Sequence, residues 1–426
     1  METKLNEARV IILGNGNVGK TSLVRALIDH SYFPTESTIT RGIEVNKWVF
    51  EVEKTEYKIS FWDFGGQEIY HATHQFFLAK NSLYLIVWTA RTDDDLRYFD
   101  YWLNTIKIFG HNSPVLIIQN KIDEFTKSID KKALQNKFEN IIGFHEISIK
   151  ANIGLSELRK DIQDKILELP HIGQLIPQKW NSIKSELGYF EQNYISFQEF
   201  EGLCKSHNIT DDNVSLLASF FHNLGFLLHF SETPILQDLI ILNSNWLTSC
   251  IYQLIDSREI QKSKGRFDYK ILERLWSENP PDIRAKLIEI MKQFDICFQI
   301  SNQLEFIIPS LLPSEKPKLE TIWESSIEFE YHYEFMPLGI ISRLIVRNHS
   351  LIFNDLYWRN GLVLEKGNTK CLVESYPFRR TIRIRVVGEN KKKLLGNIRK
   401  ELDDINGSFH SLDVKKFVKC NECVKH

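Results

Sequence analysis

The octapeptide Gly14-Asn15-Gly16-Asn17-Val18-Gly19-Lys20-Thr21 restricts the possible folds of this chain more than any other segment. It follows an apolar, strand-like run, Arg9-Val10-Ile11-Ile12-Leu13, and opens a helix-like one, Ser22-Leu23-Val24-Arg25-Ala26-Leu27. A G-x-x-x-x-G-K-T turn between a strand and a helix is a phosphate cradle. Its glycines let backbone N–H groups face inward, the helix N-terminus adds partial positive charge, and the lysine reaches the β- and γ-phosphates. The expected phosphate contacts are Asn15, Gly16, Asn17, Val18, Gly19, Lys20, Thr21 and Ser22, with the Thr21 hydroxyl in a Mg²⁺ position.

At 426 residues the chain is too long for one ordinary core and implies two or three domains. Lys and Arg number 53 against 55 Asp and Glu, so a net charge of −2 supplies no global field to draw in nucleic acid or an anionic membrane. No membrane span is expected, because apolar runs such as Leu83-Tyr84-Leu85-Ile86-Val87-Trp88 are too short, and no secretory leader is seen. A cytoplasmic address is therefore expected. Six cysteines, four of them scattered (Cys204, Cys250, Cys297, Cys371), make no disulfide framework and fit a reducing compartment.

Downstream of the P-loop, apolar strand-like runs alternate with amphipathic helix-like ones, the pattern of a mostly parallel sheet covered on both faces. Strands are expected near 9–13, 45–52, 57–63, 83–89, 115–119 and 144–148, and helices near 20–30, 97–109, 131–141 and 155–168. Ligands of such sheets sit beyond the carboxyl ends of the strands. Asp63-Phe64-Gly65-Gly66 stands at one such end, where Asp63 can hold the Mg²⁺ shell and a Gly66 N–H can meet a γ-phosphate. Asn120-Lys121-Ile122-Asp123 and Ser148-Ile149-Lys150 stand at two others.

The Asn120 and Asp123 pair selects the base. A carboxylate accepts hydrogen bonds from N1–H and the exocyclic amine of guanine, whereas adenine offers neither and would leave a buried charge unpaired, a cost of about 1–3 kcal/mol or more. The ligand is thus expected to be GTP or GDP, contacted by Asn120, Lys121, Asp123, Ser148, Ile149 and Lys150 as well as by the P-loop and Gly66.

This ordered set resembles the Ras-like small GTPases. The form Asp63-Phe64-Gly65-Gly66-Gln67-Glu68-Ile69-Tyr70-His71-Ala72-Thr73-His74-Gln75-Phe76-Phe77 is similar to the Roc domain of Roco proteins, the group that includes the leucine-rich-repeat kinases. The resemblance implies an α/β P-loop NTPase domain of Ras-like fold. Thr40, in Thr40-Arg41-Gly42-Ile43-Glu44-Val45, matches the family's switch threonine and is the expected third Mg²⁺ ligand beside Thr21 and Asp63, with Thr38 as the alternative. Gln67 stands where the family's water-orienting glutamine stands, and Arg91 matches a position proposed in bacterial Roco proteins as an arginine reaching the nucleotide across a dimer. With Lys20, these are the catalytic candidates. His71 and His74 are read as switch contacts rather than metal ligands.

After a linker at Leu169–Pro177 the pattern changes. Helical segments at 179–192, 196–207 and 211–225, then β-like runs at 226–230 and 234–242, describe a winged-helix-like unit. Asp211 and Asp212 on its presumptive recognition helix speak against DNA. Helices at 246–256, 270–277 and 282–293 follow; from about 320 the character turns to β, with strands near 327–333, 362–366, 370–375 and 380–387, a helix opening within Phe335–Arg347 and another at 390–404. These parts resemble the COR region: a winged-helix-like COR-A and a β-rich, α+β COR-B. The expected division is 1–172 (Roc), 173–318 (COR-A) and 319–426 (COR-B). The resemblance also implies a homodimer formed through COR; further protein partners are open, and the acidic recognition helix leads to the expectation of no nucleic acid. No leucine-rich period precedes the P-loop and no kinase signature follows, so the chain is expected to be a Roc–COR core, short by nature or trimmed.

Two remaining patterns carry weaker expectations. Arg383 and Arg385 share one face of a strand, read as solvated, with docking to an acidic protein surface and then nucleic acid as the alternatives. Cys420, Cys423 and His426 offer three ligands where a zinc site needs four.

Overall fold

The computed structural model describes residues 2–34, 43–66, 77–78, 80–91, 94–110, 112–300, 304–319, 323, 325–337, 339–409 and 412–418. Expectations for Thr38, Thr40, Gln67, His71, His74, Cys420, Cys423 and His426 lie outside the described residues. The chain forms two compact units, residues 1–250 and 251–426, and the division falls within the helix Ser244–Ile255.

The first unit is built on a six-stranded sheet in the order Ile43–Val52, Thr55–Phe64, Glu7–Leu13, Leu83–Trp88, Val115–Gln119, Ile141–Glu146. The first two strands form an antiparallel hairpin, turned by Glu53 and Lys54 at φ 48° and 64°; the other neighbours pair in parallel. Alternation along Glu7–Leu13 sends Ala8, Val10 and Ile12 into the main core, where they meet Leu23 and Leu27 of the helix Lys20–Ile28 and Leu158 and Ile162 of Leu155–Leu167. The helix Asp94–Phe109 follows the fourth strand in this order.

The last strand starts at Ile141, three residues before its expected start at 144, and ends at Glu146. Gly143 breaks the apolar pattern in sequence but is accommodated in the sheet as an irregularity in register opposite Val115 and Leu116. A Cβ there would lie 2.8 Å from Leu116 Cδ2. The preceding helix, expected over 131–141, stops at Lys137, its C-cap Phe138 already extended.

The segment read as a linker is pinned. Leu175–Pro177 pairs antiparallel with Glu2–Lys4, and the His171 ring Nε2 lies 3.1 Å from the Glu7 carbonyl. Beyond it, helices Gln178–Leu187, Phe197–Ser206 and Asp211–Leu224 pack with a small sheet of Leu228–His229, Leu239–Ile241 and Tyr194–Ser196, giving the winged-helix-like arrangement around Phe200, Leu217, Phe221 and Ile240. A capping box between Ser196 and Glu199 starts the middle helix.

The second unit opens with helices Arg258–Lys262, Tyr269–Leu275 and Pro281–Gln293 and a three-stranded sheet. It closes with a six-stranded antiparallel sheet ordered Ile352–Trp358, Gly361–Lys366, Thr369–Tyr376, Thr381–Val387, Ile327–Tyr333, Val414–Val418, whose core contains residues of the helices Ile340–Arg347 and Lys391–Gly407. Two of these strands have no clear signal in sequence. In Ile352–Trp358 the period is broken by Asn354 and Asp355 at φ 46° and 53°, where the register shifts; Val414–Val418 is a largely exposed edge strand. Among the described residues no helix is long and apolar enough to cross a membrane. The four described cysteines are buried free thiols.

The arginine face of Thr381–Val387 is half-buried and paired with carboxylates rather than freely solvated. That strand lies between two neighbours; Arg383 Nε donates to Glu330 Oε1 at 2.6 Å, and Arg385 donates to Glu374 Oε2 at 2.7 Å, whose Oε1 accepts from Lys316 Nζ at 2.6 Å. Burial works to raise the Glu374 pKa, but the two cations more than offset it and hold the carboxyl below its ordinary value. Glu374→Gln is therefore expected to destabilise the second unit by about 2 kcal/mol at pH 7, read from urea unfolding. A depressed folded-state pKa gives stability above the unfolded pKa that is lost as pH falls through the folded one, so parent and variant should converge once pH falls below the ordinary carboxylate range.

Candidate functional site

The strand Glu7–Leu13 ends at Gly14, whose φ of 142° and position against Val87 leave no room for a side chain: a Cβ would stand 2.1 Å from the Val87 carbonyl oxygen. The loop then turns through Asn17 at φ 62° and Gly19 at φ 93°, and the helix begins at Lys20. Lys20 is 6% exposed, and its Nζ donates to the carbonyls of Gly14 at 2.9 Å and Asn15 at 2.8 Å. Burial pushes its pKa down to about 8, against the pull of nearby Asp63.

Asp63 lies at the end of Thr55–Phe64, fully buried, and accepts a hydrogen bond from the Thr21 hydroxyl. Three residues on, Gly66 packs against the P-loop. A Cβ on Gly66 would lie 2.4 Å from Lys20 Nζ and 2.5 Å from the Asn15 carbonyl oxygen, so this approach requires glycine. The hydroxyl of Thr21 and the carboxylate of Asp63 form a hard-oxygen pair of the kind Mg²⁺ takes, and the glycine-lined cradle with a buried ammonium fits a polyphosphate. Among the described residues no three His, Cys, Asp or Glu side chains converge as a metal cage.

The segment expected to recognise the base, Asn120–Asp123, meets the P-loop directly. Asn120 Nδ2 donates to the Val18 carbonyl at 2.9 Å, its Oδ1 accepts from Lys121 N at 2.8 Å, and Lys121 Nζ donates to the Asn17 carbonyl at 2.8 Å. A Cβ on Gly19 would stand 2.5 Å from Asn120 Nδ2 and 3.8 Å from Ile149 Cδ1. Ser148 Oγ donates to Asp123 Oδ1 at 2.6 Å and accepts from Ala151 N at 2.9 Å, tying the two loops to each other. Lys150 is exposed beside them, and Ser22 is half-buried in the first helix.

Arg91 lies beside the Asn120–Asp123 segment of its own chain. Its guanidinium is 45% exposed and paired with Glu124, the neighbour of Asp123, with Nε 2.9 Å from the carboxylate. Sequence reasoning passed over Arg9. A charged residue inside the otherwise apolar run Arg9–Leu13 was the available signal, and period two puts it on the same face as Ile11, away from Val10 and Ile12.

Three family models match in tandem: "Ras of Complex, Roc, domain of DAPkinase" over residues 9–123, "C-terminal of Roc, COR-A domain" over 177–312 and "C-terminal of Roc, COR-B domain" over 324–426. The solved RocCORdC structure of Methanosarcina barkeri Roco2 bound to GDP is 34% identical, with a TM-score of 0.68, covering 73% of this chain and 98% of that one. The chain belongs to the Roco family. Among curated Roco relatives, the probable serine/threonine-protein kinase pats1 of Dictyostelium discoideum is 26% identical over 98% of this chain. A Roc-COR-CHAT protease of Runella zeae is 28% identical over 87% of it. The chain spans only 15% and 42% of the length of these two relatives. Its first part is thus a Ras-like GTPase domain of the Roc type, followed by a COR region.

The buried lysine sets a pH dependence. A phosphate ligand needs the ammonium form, and the free site loses it above pH 8. GDP affinity is expected to fall about tenfold between pH 7 and pH 9 with uptake of a proton, and to lose that slope in Lys20→Ala. Calorimetry in buffers of different ionisation enthalpy measures both.

Proposed function

We propose that this Roc domain binds Mg²⁺·GTP, hydrolyses it slowly to GDP and phosphate, and uses the change to switch COR packing and COR-mediated homodimerisation in the cytoplasm. The observation that carries the reading is the convergence of Lys20, the Thr21–Asp63 pair, Gly66, Asn120 and the Ser148–Asp123 bond at the carboxyl ends of adjacent parallel strands. The GDP complex of the Methanosarcina relative supports a guanine nucleotide as ligand. The division into Roc at 1–172, COR-A at 173–318 and COR-B at 319–426 is part of the same proposal.

Asn120 and Asp123 hold the guanine edge, with Lys121, Ser148, Ile149 and Lys150 walling its pocket. Asn15 to Ser22 wrap the phosphates, and Lys20 stabilises charge on the β–γ bridge as it breaks. Thr21, Asp63 and Thr40 would hold Mg²⁺, whose charge neutralises phosphate oxygens. Gln67 orients the attacking water and Gly66 N–H meets the γ-phosphate. Arg91 can act across a dimer only after leaving Glu124, and an exposed pair of this kind is worth under about 1 kcal/mol, so the contact is no barrier to it.

Single-turnover hydrolysis tests the reading. The parent should turn over above the protein-free background, and Gln67→Leu and Arg91→Ala should each slow it, Arg91→Ala only at concentrations that support dimers. Light-scattering mass should differ between GDP and non-hydrolysable GTP. A parent rate at background with a nucleotide-dependent mass would instead establish the alternative, a nucleotide-gated dimerisation scaffold with negligible turnover. Asp123→Ala should weaken GDP binding by about a hundredfold or more in either case.

A further inference from the structure

Arg9 is 3% exposed, yet among the described residues no carboxylate pairs with it. Its NH1 donates to the carbonyl of Phe77 at 2.8 Å and its NH2 to the carbonyl of His222 at 3.3 Å, while the guanidinium lies 4.8 Å from the centroid of the Trp62 ring. Each contact has a separate meaning. Phe77 stands eleven residues after Gly66 in sequence, at the far end of the segment that follows the D-x-x-G motif. Its ring packs on Trp62 at 5.3 Å and Phe64 at 6.0 Å, the residues on either side of Asp63. His222 is in the last turn of Asp211–Leu224, inside the COR-A match, where the helix dipole favours a cation; its carbonyl also accepts from Gly225 N at 2.9 Å, so the Arg9 contact is a second bond to the same oxygen.

The COR-A side is shaped to admit this side chain. Gly225, the C-cap of that helix at φ 71°, faces the guanidinium so closely that a Cβ would stand 1.6 Å from Arg9 NH2. His222 stays neutral, since burial first and Arg9 second push its pKa down to about 4, and its Nδ1 accepts from His229 N at 3.2 Å. Two residues earlier on the same strand, Glu7 pairs with Lys184 of COR-A, whose Nζ lies 5.2 Å from the Phe226 ring centroid. That second tie does not involve Phe77.

We infer that Arg9 is a positioning residue that couples the nucleotide site to COR-A, because one guanidinium holds both the Phe77 end of the D-x-x-G segment and the C-terminus of the COR-A helix. Two carbonyls bridged by one planar fork cannot move independently of each other. A nucleotide that biases the strand end at Asp63, where Trp62 and Phe64 pack on the Phe77 ring, therefore biases the helix end, and by linkage the reverse holds. The inference rests on the guanine-nucleotide reading, and the experiment separates the two.

Four variants of the 426-residue chain are compared: Arg9→Met, which keeps volume and removes both hydrogen bonds; Arg9→Lys, which cannot span both carbonyls; Gly225→Ala, which disturbs the contact from the COR-A side; and Lys184→Met, which removes only the other tie. GDP affinity should stay within about twofold of the parent in all of them. The ratio of non-hydrolysable GTP to GDP affinity should shift by about fivefold or more in Arg9→Met, Arg9→Lys and Gly225→Ala but not in Lys184→Met, and single-turnover hydrolysis should fall in parallel. The double variant Arg9→Met/Gly225→Ala should be no worse than the more affected single one. An unchanged ratio, or one that Lys184→Met shifts equally, overturns the coupling. A parent that binds GTP without hydrolysing it overturns the hydrolysis reading alone, and the affinity ratio still decides the role of Arg9.

Discussion

Lys20 carries an ammonium group into a site that leaves 6% of the residue exposed, and two main-chain carbonyls receive it. Taking a cation out of water costs several kcal/mol, so the loop must close tightly enough to return most of that through short, well-aimed contacts. Side chains would prevent that closure. Gly14 lies against the Val87 carbonyl, Gly19 against Asn120, and Gly66 against Lys20 itself, each closer than a Cβ allows. The result is a cation held ready at the carboxyl end of the sheet, with Thr21 and Asp63 beside it and Asn120 bolted to the Val18 carbonyl.

The strand that delivers Lys20 faces two environments. Through Val10 and Ile12 it is part of the continuous apolar core of the Ras-like domain; through Glu7 and Arg9 it makes polar contacts with COR-A residues. Apolar contacts tolerate small slips, whereas a fork that bridges two carbonyls has directional requirements at both. A strand with one adaptable face and one directional face is suited to passing a small displacement from the phosphate end to the COR-A side.

Much of this was readable from residue order. The P-loop, Asp63, Asn120, Asp123 and Ser148 fall at the ends of apolar runs whose period marks them as strands, and chemistry that needs a backbone cradle or a carboxylate on a guanine edge leaves a local pattern. The misreadings share a cause. The strand expected from 144 begins at Ile141, across Gly143 and a register irregularity; Asn354 and Asp355 hide a strand by the same device. Arg383 and Arg385 looked like a solvated face because Glu330 and Glu374, their partners, come from other strands 53 and 11 residues away. Leu175–Pro177 looked like a linker because its pairing partner is the chain's own beginning.

From sequence alone follow the alternating strand–helix domain, its phosphate cradle and the guanine-selecting pair, each written in contiguous residues whose spacing is set by backbone geometry, and, through the resemblance those motifs carry, the Ras-like domain and the Roc–COR order. What only the tertiary structure decided is what the charged side chains touch: Arg91 on Glu124, Arg385 on Glu374, Arg9 between Phe77 and His222. A long cation has the same letter whether it is solvated, paired or buried on carbonyls, and the desolvation and hydrogen bonding that distinguish those fates depend on groups distant in the chain.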